Sequence, residues 1–339
     1  MKNIGRENIM SDKKFSVVGI GNAIVDVIAN VDDDFLTTHS IKKGNMKLIC
    51  KDEAELLSGK INVVEEIPGG SAANTIAGLA SFGSKVAFIG KVRNDPLGET
   101  FENGLKGIGV NCNTKKVKAG MPTGRCVVLI TPDAQRTMNT FLGISETLGE
   151  DDINEEVISD SEVTYLEGYL WDSDKSKKAF LKAIDTAHNS GGKVALSLSD
   201  SFCVDSHRDE FLDLVKNYID ILFANEDEIK SLFMVKSFES AVDNCKDIKI
   251  ICVLTRSEKG SVITSGGRAY IVKVVPPTAI VDTTGAGDLY AAGFLYGFTK
   301  GSDLYTCGRI GSIAASEVIS HFGARPGTPL GKLIDKKGL

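Results

Sequence analysis

The stretch Asp-Thr-Thr-Gly-Ala-Gly-Asp at 282–288 runs directly into the apolar segment LYAAGFLYGF. Gly-Ala-Gly is a poor helix start by propensity, which suggests that bare backbone is wanted there. The first amides of a helix point outward without partners, and the helix dipole adds partial positive charge to them. Gly285, Ala286 and Gly287 carry little or no side chain, so a phosphoryl group can approach their amides closely. Asp288 stands beside that pocket. Its carboxylate suits a base that takes a proton from an alcohol while the amides hold charge on the migrating group. The chemistry implied is phosphoryl transfer to a hydroxyl. A lone T-G-A-G-D could equally be an N-cap and a tight turn, so the other polar residues decide how it is read.

Those residues gather where strands hand over to helices, which is where open α/β sheets bind ligands. Asn22 and Asp26 follow the apolar run FSVVGI at 15–20. Gly69, Gly70 and Asn74 open a helical segment at 71–83, and Asn225 and Glu228 follow the run IDILFA. Further strands are expected at 86–90, 163–167, 194–198, 219–224 and 249–254. Helices are expected at 174–190, 208–217, 226–234, 239–246, 287–299 and 303–320. This alternation predicts right-handed crossovers and a mainly parallel sheet covered on both faces, an α/β fold. Segments 25–50 and 113–143 differ, with short strands and Gly- and Pro-containing turns. They are expected to pair into a small β lid over a body made of 15–24, 51–112 and 144–334, with 1–14 as an N-terminal tail.

The composition narrows the function. A chain of 339 residues, 42% hydrophobic and 25% charged, has ample core for one large α/β domain or two ordinary ones. A net charge of −6 makes nucleic acid or an anionic membrane an improbable main partner. Seven scattered cysteines without a C-x-x-C pair argue against disulfides and zinc and for a reducing cytoplasm. The four histidines (39, 188, 207, 321) lack metal-ligand spacing, so no transition-metal site is expected. No signal peptide or membrane span is expected either. Every Gly-Lys is followed by Ile, Val or Leu, which rules out a Walker A loop. GIGNAI at 19–24 and GAGDLY at 285–290 lack the third glycine of a dinucleotide site, so a dehydrogenase is disfavoured.

GGSAANTIAGLASFGSKVAFIGKVRNDPLG (69–98) and DTTGAGDLYAAGFLYG (282–297) resemble the two signatures of the ribokinase, or phosphofructokinase-B (pfkB), carbohydrate kinase family. GGSAANT, QRTMNTFLG and GARP resemble its adenosine-kinase-like branch. The resemblance implies a three-layer α/β/α ribokinase-like fold with a small β-sheet lid. It also implies an ATP-dependent kinase acting on a primary hydroxyl of a nucleoside, adenosine first, or of a sugar. By motif, Asp288 would be the general base and the amides of 285–288 the anion hole. Asn22, Asp26, Gly69, Gly70 and Asn74 would hold the substrate. Asn225 and Glu228 would organise Mg²⁺ near the phosphates, and Arg136 would neutralise phosphate charge. Thr255 and Gly260 match the nucleotide loop, although Ser257 replaces its middle glycine. Asp282 and Thr284 match positions that bind a monovalent cation, usually potassium, in many members. Relatives occur as monomers and as homodimers, and the sequence leaves that choice open. A non-catalytic sugar sensor is the distant alternative, yet a pure binder needs neither Asp288 nor the bare amides. Tyr169 and Trp171 lie near the expected substrate side, where aromatic residues are more often core than base-stacking.

Overall fold

Strands buried on both sides build the main sheet. In Phe15–Ile20, Val17 faces one apolar cluster while Val18 and Ile20 face another, and Ile221–Asn225 alternates likewise through Ile221, Leu222, Phe223 and Ala224. Such strands suit only a sheet covered on both faces. The computed structural model describes residues 13–336 and 338, so most of the proposed 1–14 tail lies outside the described residues.

Nine strands form this sheet. In spatial order they are Arg268–Val272, Ser261–Ser265, Ile251–Thr255, Ile221–Asn225, Lys193–Ser197, Ser161–Glu167, Phe15–Ile20, Val86–Ile89 and Asn111–Cys112. The pairings are parallel from Ile251–Thr255 to Asn111–Cys112, and the other edge closes with two antiparallel strands. Helices Asp174–Asn189, Arg208–Asn217, Glu226–Phe233 and Phe238–Lys246 cover one face. Helices Ser71–Ser81, Pro96–Gly107, Ala286–Thr299 and Leu304–Val318 cover the other. The result is the three-layer α/β/α fold expected from the sequence.

A second sheet of five strands runs in the order Met46–Leu48, Arg136–Phe141, Gly124–Ile130, Ile24–Asn30 and Val63–Gly69. It takes in Val63–Gly69, which the sequence division places in the body. Helix Lys51–Ser58 also packs on this sheet, through Ala54 and Leu57. The strand VVEEIPG is hard to read because it lies on an edge. Its first four residues are exposed, two of them are glutamates, and Pro68 near its end gives no ladder donor. Conversely, Lys115–Val117, inside the expected lid, pairs with Lys91–Arg93 and not with the five-stranded sheet. Among the described residues, no helix is long and apolar enough to cross a membrane.

Candidate active site

Two helices begin at the same cavity, one after Gly70 and one after Gly285. Gly70 caps Ser71–Ser81 with φ 95°, and a β-carbon there would lie 2.3 Å from the Asn22 carbonyl oxygen, so only glycine fits. Gly285 caps Ala286–Thr299 with φ 77°, and a β-carbon would lie 2.8 Å from Ala324. The helices touch closely, because a β-carbon on Gly78 would meet Leu289 at 2.6 Å and Ala292 at 2.7 Å. This packing fixes the side chains of the first helix against the acid of the second. Ser71 Oγ donates to Asp288 Oδ1 at 2.6 Å, and Asn74 Nδ2 donates to Oδ2 at 3.1 Å. Burial raises the Asp288 pKa above the ordinary aspartate value, against the pull of these two donors. Asn74 Oδ1 is buried without a partner, an acceptor left over for a hydroxyl of whatever fills the cavity.

The amides of Gly285, Gly287 and Asp288 have no hydrogen-bond partner among the described residues, and Ala286 N makes a long 3.3 Å bond to the Thr283 carbonyl. Gly287 is exposed, with open space where a side chain would stand. Three of the four amides at 285–288 are thus left without a protein partner among the described residues. Residues 285–288 line a cavity of about 410 Å³, together with Asn74, Asp26, Asn225 and Glu228.

The floor beneath is tied together by Glu167, a residue the motifs do not reveal. It ends strand Ser161–Glu167 and is 1% exposed. Its Oε1 accepts from Asn22 N and Nδ2, both at 2.8 Å, and its Oε2 accepts from Ala72 N at 2.8 Å. Burial pushes its carboxyl up to about 7 even so. Asn22, expected to hold substrate, spans Glu167 and Ser145, whose Oγ donates to Asn22 Oδ1 at 2.9 Å. The Asp26 carboxylate makes no hydrogen bond among the described residues, and Gly69, which does not line the cavity, lets it approach closely. Burial raises the Asp26 carboxyl to about 6, although Arg325 and Arg136 oppose the shift.

Asn225 and Glu228 form a capping box that starts helix Glu226–Phe233. Asn225 Oδ1 accepts from the amides of Asp227 and Glu228, and Asn225 N and Nδ2 donate to Glu228 at 3.0 and 2.6 Å. Each Glu228 oxygen thus keeps a free lone pair, and burial pushes its carboxyl up to about 7. One carboxylate on a cavity wall suits Mg²⁺, which is held by one or two carboxylates together with phosphates and water. No cluster of three or more metal-ligating side chains occurs among the described residues.

Thr255 ends its strand on the cavity, whereas Gly260 lies outside the lining. Ser257 adopts φ 50°, the left-handed conformation natural to the glycine it replaces. The turn is closed by Arg256 N, which donates to the Gly260 carbonyl at 2.8 Å. Ser257→Gly is expected to raise unfolding stability by about 1 kcal/mol, measured by urea denaturation. Tyr169 lines the cavity and donates its hydroxyl to the Ser199 carbonyl. Trp171 is core, packed on Phe180 and Phe211 with Nε1 donating to Glu210 at 2.6 Å.

Arg136 and Asp282 lie outside the main cavity. They line a neighbouring one of about 570 Å³, and Thr284 borders both. Arg136 Nη1 pairs with Asp282 Oδ2 at 2.9 Å, so the arginine that the resemblance sends to the phosphates is bonded to the expected cation ligand. Gly323 N also donates to Oδ2, at 2.9 Å, while Thr284 N and Oγ1 donate to Oδ1 at 3.0 and 2.6 Å. Oδ1 accepts two hydrogen bonds and Oδ2 one, with the Arg136 cation already beside it, so this site does not fit a bound potassium ion.

Comparison with known proteins bears on this geometry. A probable sugar kinase from Rhizobium etli CFN 42 superposes with a TM-score of 0.89 at 44% identity, over 96% of this chain and 99% of that one. The adenosine kinase from Sinorhizobium meliloti gives 0.88 at 44% identity over the same shares. Adenosine kinase 2 of Arabidopsis thaliana is 26% identical over 91% of this chain and 94% of its own length. Residues 15–330 match the model of the pfkB family carbohydrate kinases. With the fold, the paired helix starts and this match in agreement, the chain belongs to the pfkB family, whose kinases transfer phosphoryl groups to alcohols.

Proposed function

We propose that this kinase phosphorylates the primary hydroxyl of a nucleoside, adenosine first, at the expense of MgATP in the cytoplasm. The observation that carries the nucleoside reading is the roof of the cavity. The second sheet presents Ile24, Met46, Leu48, Cys126 and Met138 to it, joined by Leu142 just past a strand end, and Met46 and Leu48 remain 43% and 49% exposed. A free sugar offers hydroxyls and little apolar area to such a roof, whereas a purine offers a flat apolar face. The 44% identity to an adenosine kinase along nearly the whole chain supports the same reading.

In the proposed mechanism, Asp288 accepts the proton of the substrate hydroxyl as that oxygen attacks the γ-phosphorus in line. Ser71 and Asn74 aim the carboxylate, and the free Asn74 Oδ1 accepts from a sugar hydroxyl. The amides of Gly285, Gly287 and Asp288 hold charge on the transferred group. Asn225 and Glu228 would hold Mg²⁺ through its waters, and the bound ion neutralises charge on the phosphates. The five-stranded sheet acts as a lid that keeps water from the phosphoryl group.

An ATP-coupled assay over nucleosides and free sugars tests this. Burying roughly 100 Å² of base against the roof is worth ~2.5 kcal/mol, close to 10² in kcat/KM. Adenosine is expected to exceed ribose or fructose by about that factor. A response to sugars alone contradicts the nucleoside reading and leaves a sugar kinase.

A further inference from the structure

We propose that the guanidinium of Arg136 stands at Asp282 where related kinases place a monovalent cation, so that this protein needs no potassium. An ionised carboxylate offers about four lone-pair positions. At Asp282 three hydrogen bonds and one ion pair occupy them: Thr284 N and Thr284 Oγ1 donate to Oδ1, Gly323 N donates to Oδ2, and the Arg136 guanidinium pairs with Oδ2 through Nη1. A potassium ion would have to displace one donor and then sit beside a fixed positive charge.

The pair is also placed to do a cation's structural work. Asp282 is 8% exposed, and its backbone amide is held by the Ile319 carbonyl at 3.4 Å. Its side chain grips two loops that bracket the anion loop. One continues from Thr284 into Gly285, and the other runs from Gly323 to Ala324, which packs on Gly285. Arg136 opens strand Arg136–Phe141 of the five-stranded sheet, so the charge that balances Asp282 arrives from across the cavity mouth. Phe322 covers the guanidinium, with its ring centroid 5.8 Å away. Arg136 is in this sense a positioning residue. It fixes the amides that meet the phosphoryl group by neutralising the acid behind them.

The test compares wild type with Arg136→Met in KCl and in choline chloride at equal ionic strength. Three readouts are taken: turnover, melting temperature without substrate, and thallium-205 NMR titration with thallous ion as the potassium probe. Wild type is expected to change less than twofold in turnover, to melt at the same temperature in both salts, and to show no thallium site. Arg136→Met opens Asp282 to the solvent cavity. It is expected to lose at least tenfold in choline chloride, to regain most of that in KCl, to melt higher in KCl, and to bind thallium. Potassium activation of wild type above tenfold, or a thallium site in wild type, overturns the proposal. So does an Arg136→Met protein that ignores potassium in all three readouts. Melting and thallium binding require no substrate, so they judge the proposal even where the nucleoside reading fails. Should Arg136→Met not fold, the wild-type measurements alone decide.

Discussion

Asp288→Asn is expected to lower kcat by about 10²–10⁴, the usual worth of a positioned general base, with little change in substrate affinity. The variant should fold. Ser71 can still donate to the retained oxygen, and Asn74 can turn its Oδ1 toward the new amide while its Nδ2 donates to the sugar hydroxyl oxygen instead, so donors and acceptors remain matched. Steady-state kinetics together with a nucleoside titration separate the two effects. The acid side of the wild-type pH profile carries the same signature. Burial raises the Asp288 pKa, so the base form disappears as pH falls through a value above the ordinary ~3.9 of aspartate. Near-normal turnover in Asp288→Asn would remove the carboxylate from the mechanism.

Glu167→Gln is expected to cost about 3 kcal/mol of stability. The carboxylate answers three N–H donors with two acceptor oxygens in a site closed to water. An amide keeps one oxygen and turns a donor toward the donors that remain, leaving buried N–H groups unsatisfied at about 1–3 kcal/mol each. For a chain of this size the melting temperature is expected to fall by about 4 °C. Activity falls as well, for a reason that can be traced. Ala72 N belongs to the helix start that carries Ser71 and Asn74, and these two aim Asp288. Calorimetry and kcat, read together, check both parts. A variant that melts like wild type contradicts the clamp.

The sequence exposes the body of this molecule because its strands and helices bury residues at different periods. VVGI, VALSL and ILFA are apolar on both faces, while Asp174–Asn189 is apolar on one. The second sheet is less legible, and Val63–Gly69 shows why. An exposed acidic edge strand carries no alternation for a pattern to detect. At the site, the glycine-rich helix starts stand out because unusual backbone requires unusual residues. Glu167 is hidden inside VTYLE, although a charge ending an otherwise apolar parallel strand is a usable signal. Ser71 sits in GGSAANT one turn ahead of Asn74, and only the packing of two helices shows that both donate to Asp288. Spacing cannot reveal that Arg136 meets Asp282, since the pair joins a strand of the five-stranded sheet to a loop far away along the chain.

The most direct measurement is a crystal structure of Asp288→Asn with adenosine and a non-hydrolysable ATP analogue bound together. The mechanism predicts the nucleoside 5′-hydroxyl within about 2.6–3.2 Å of the residue 288 side chain, with the terminal phosphate on the amides of 285, 287 and 288. A hydroxyl held elsewhere in the cavity, or a phosphate that leaves those amides untouched, contradicts it.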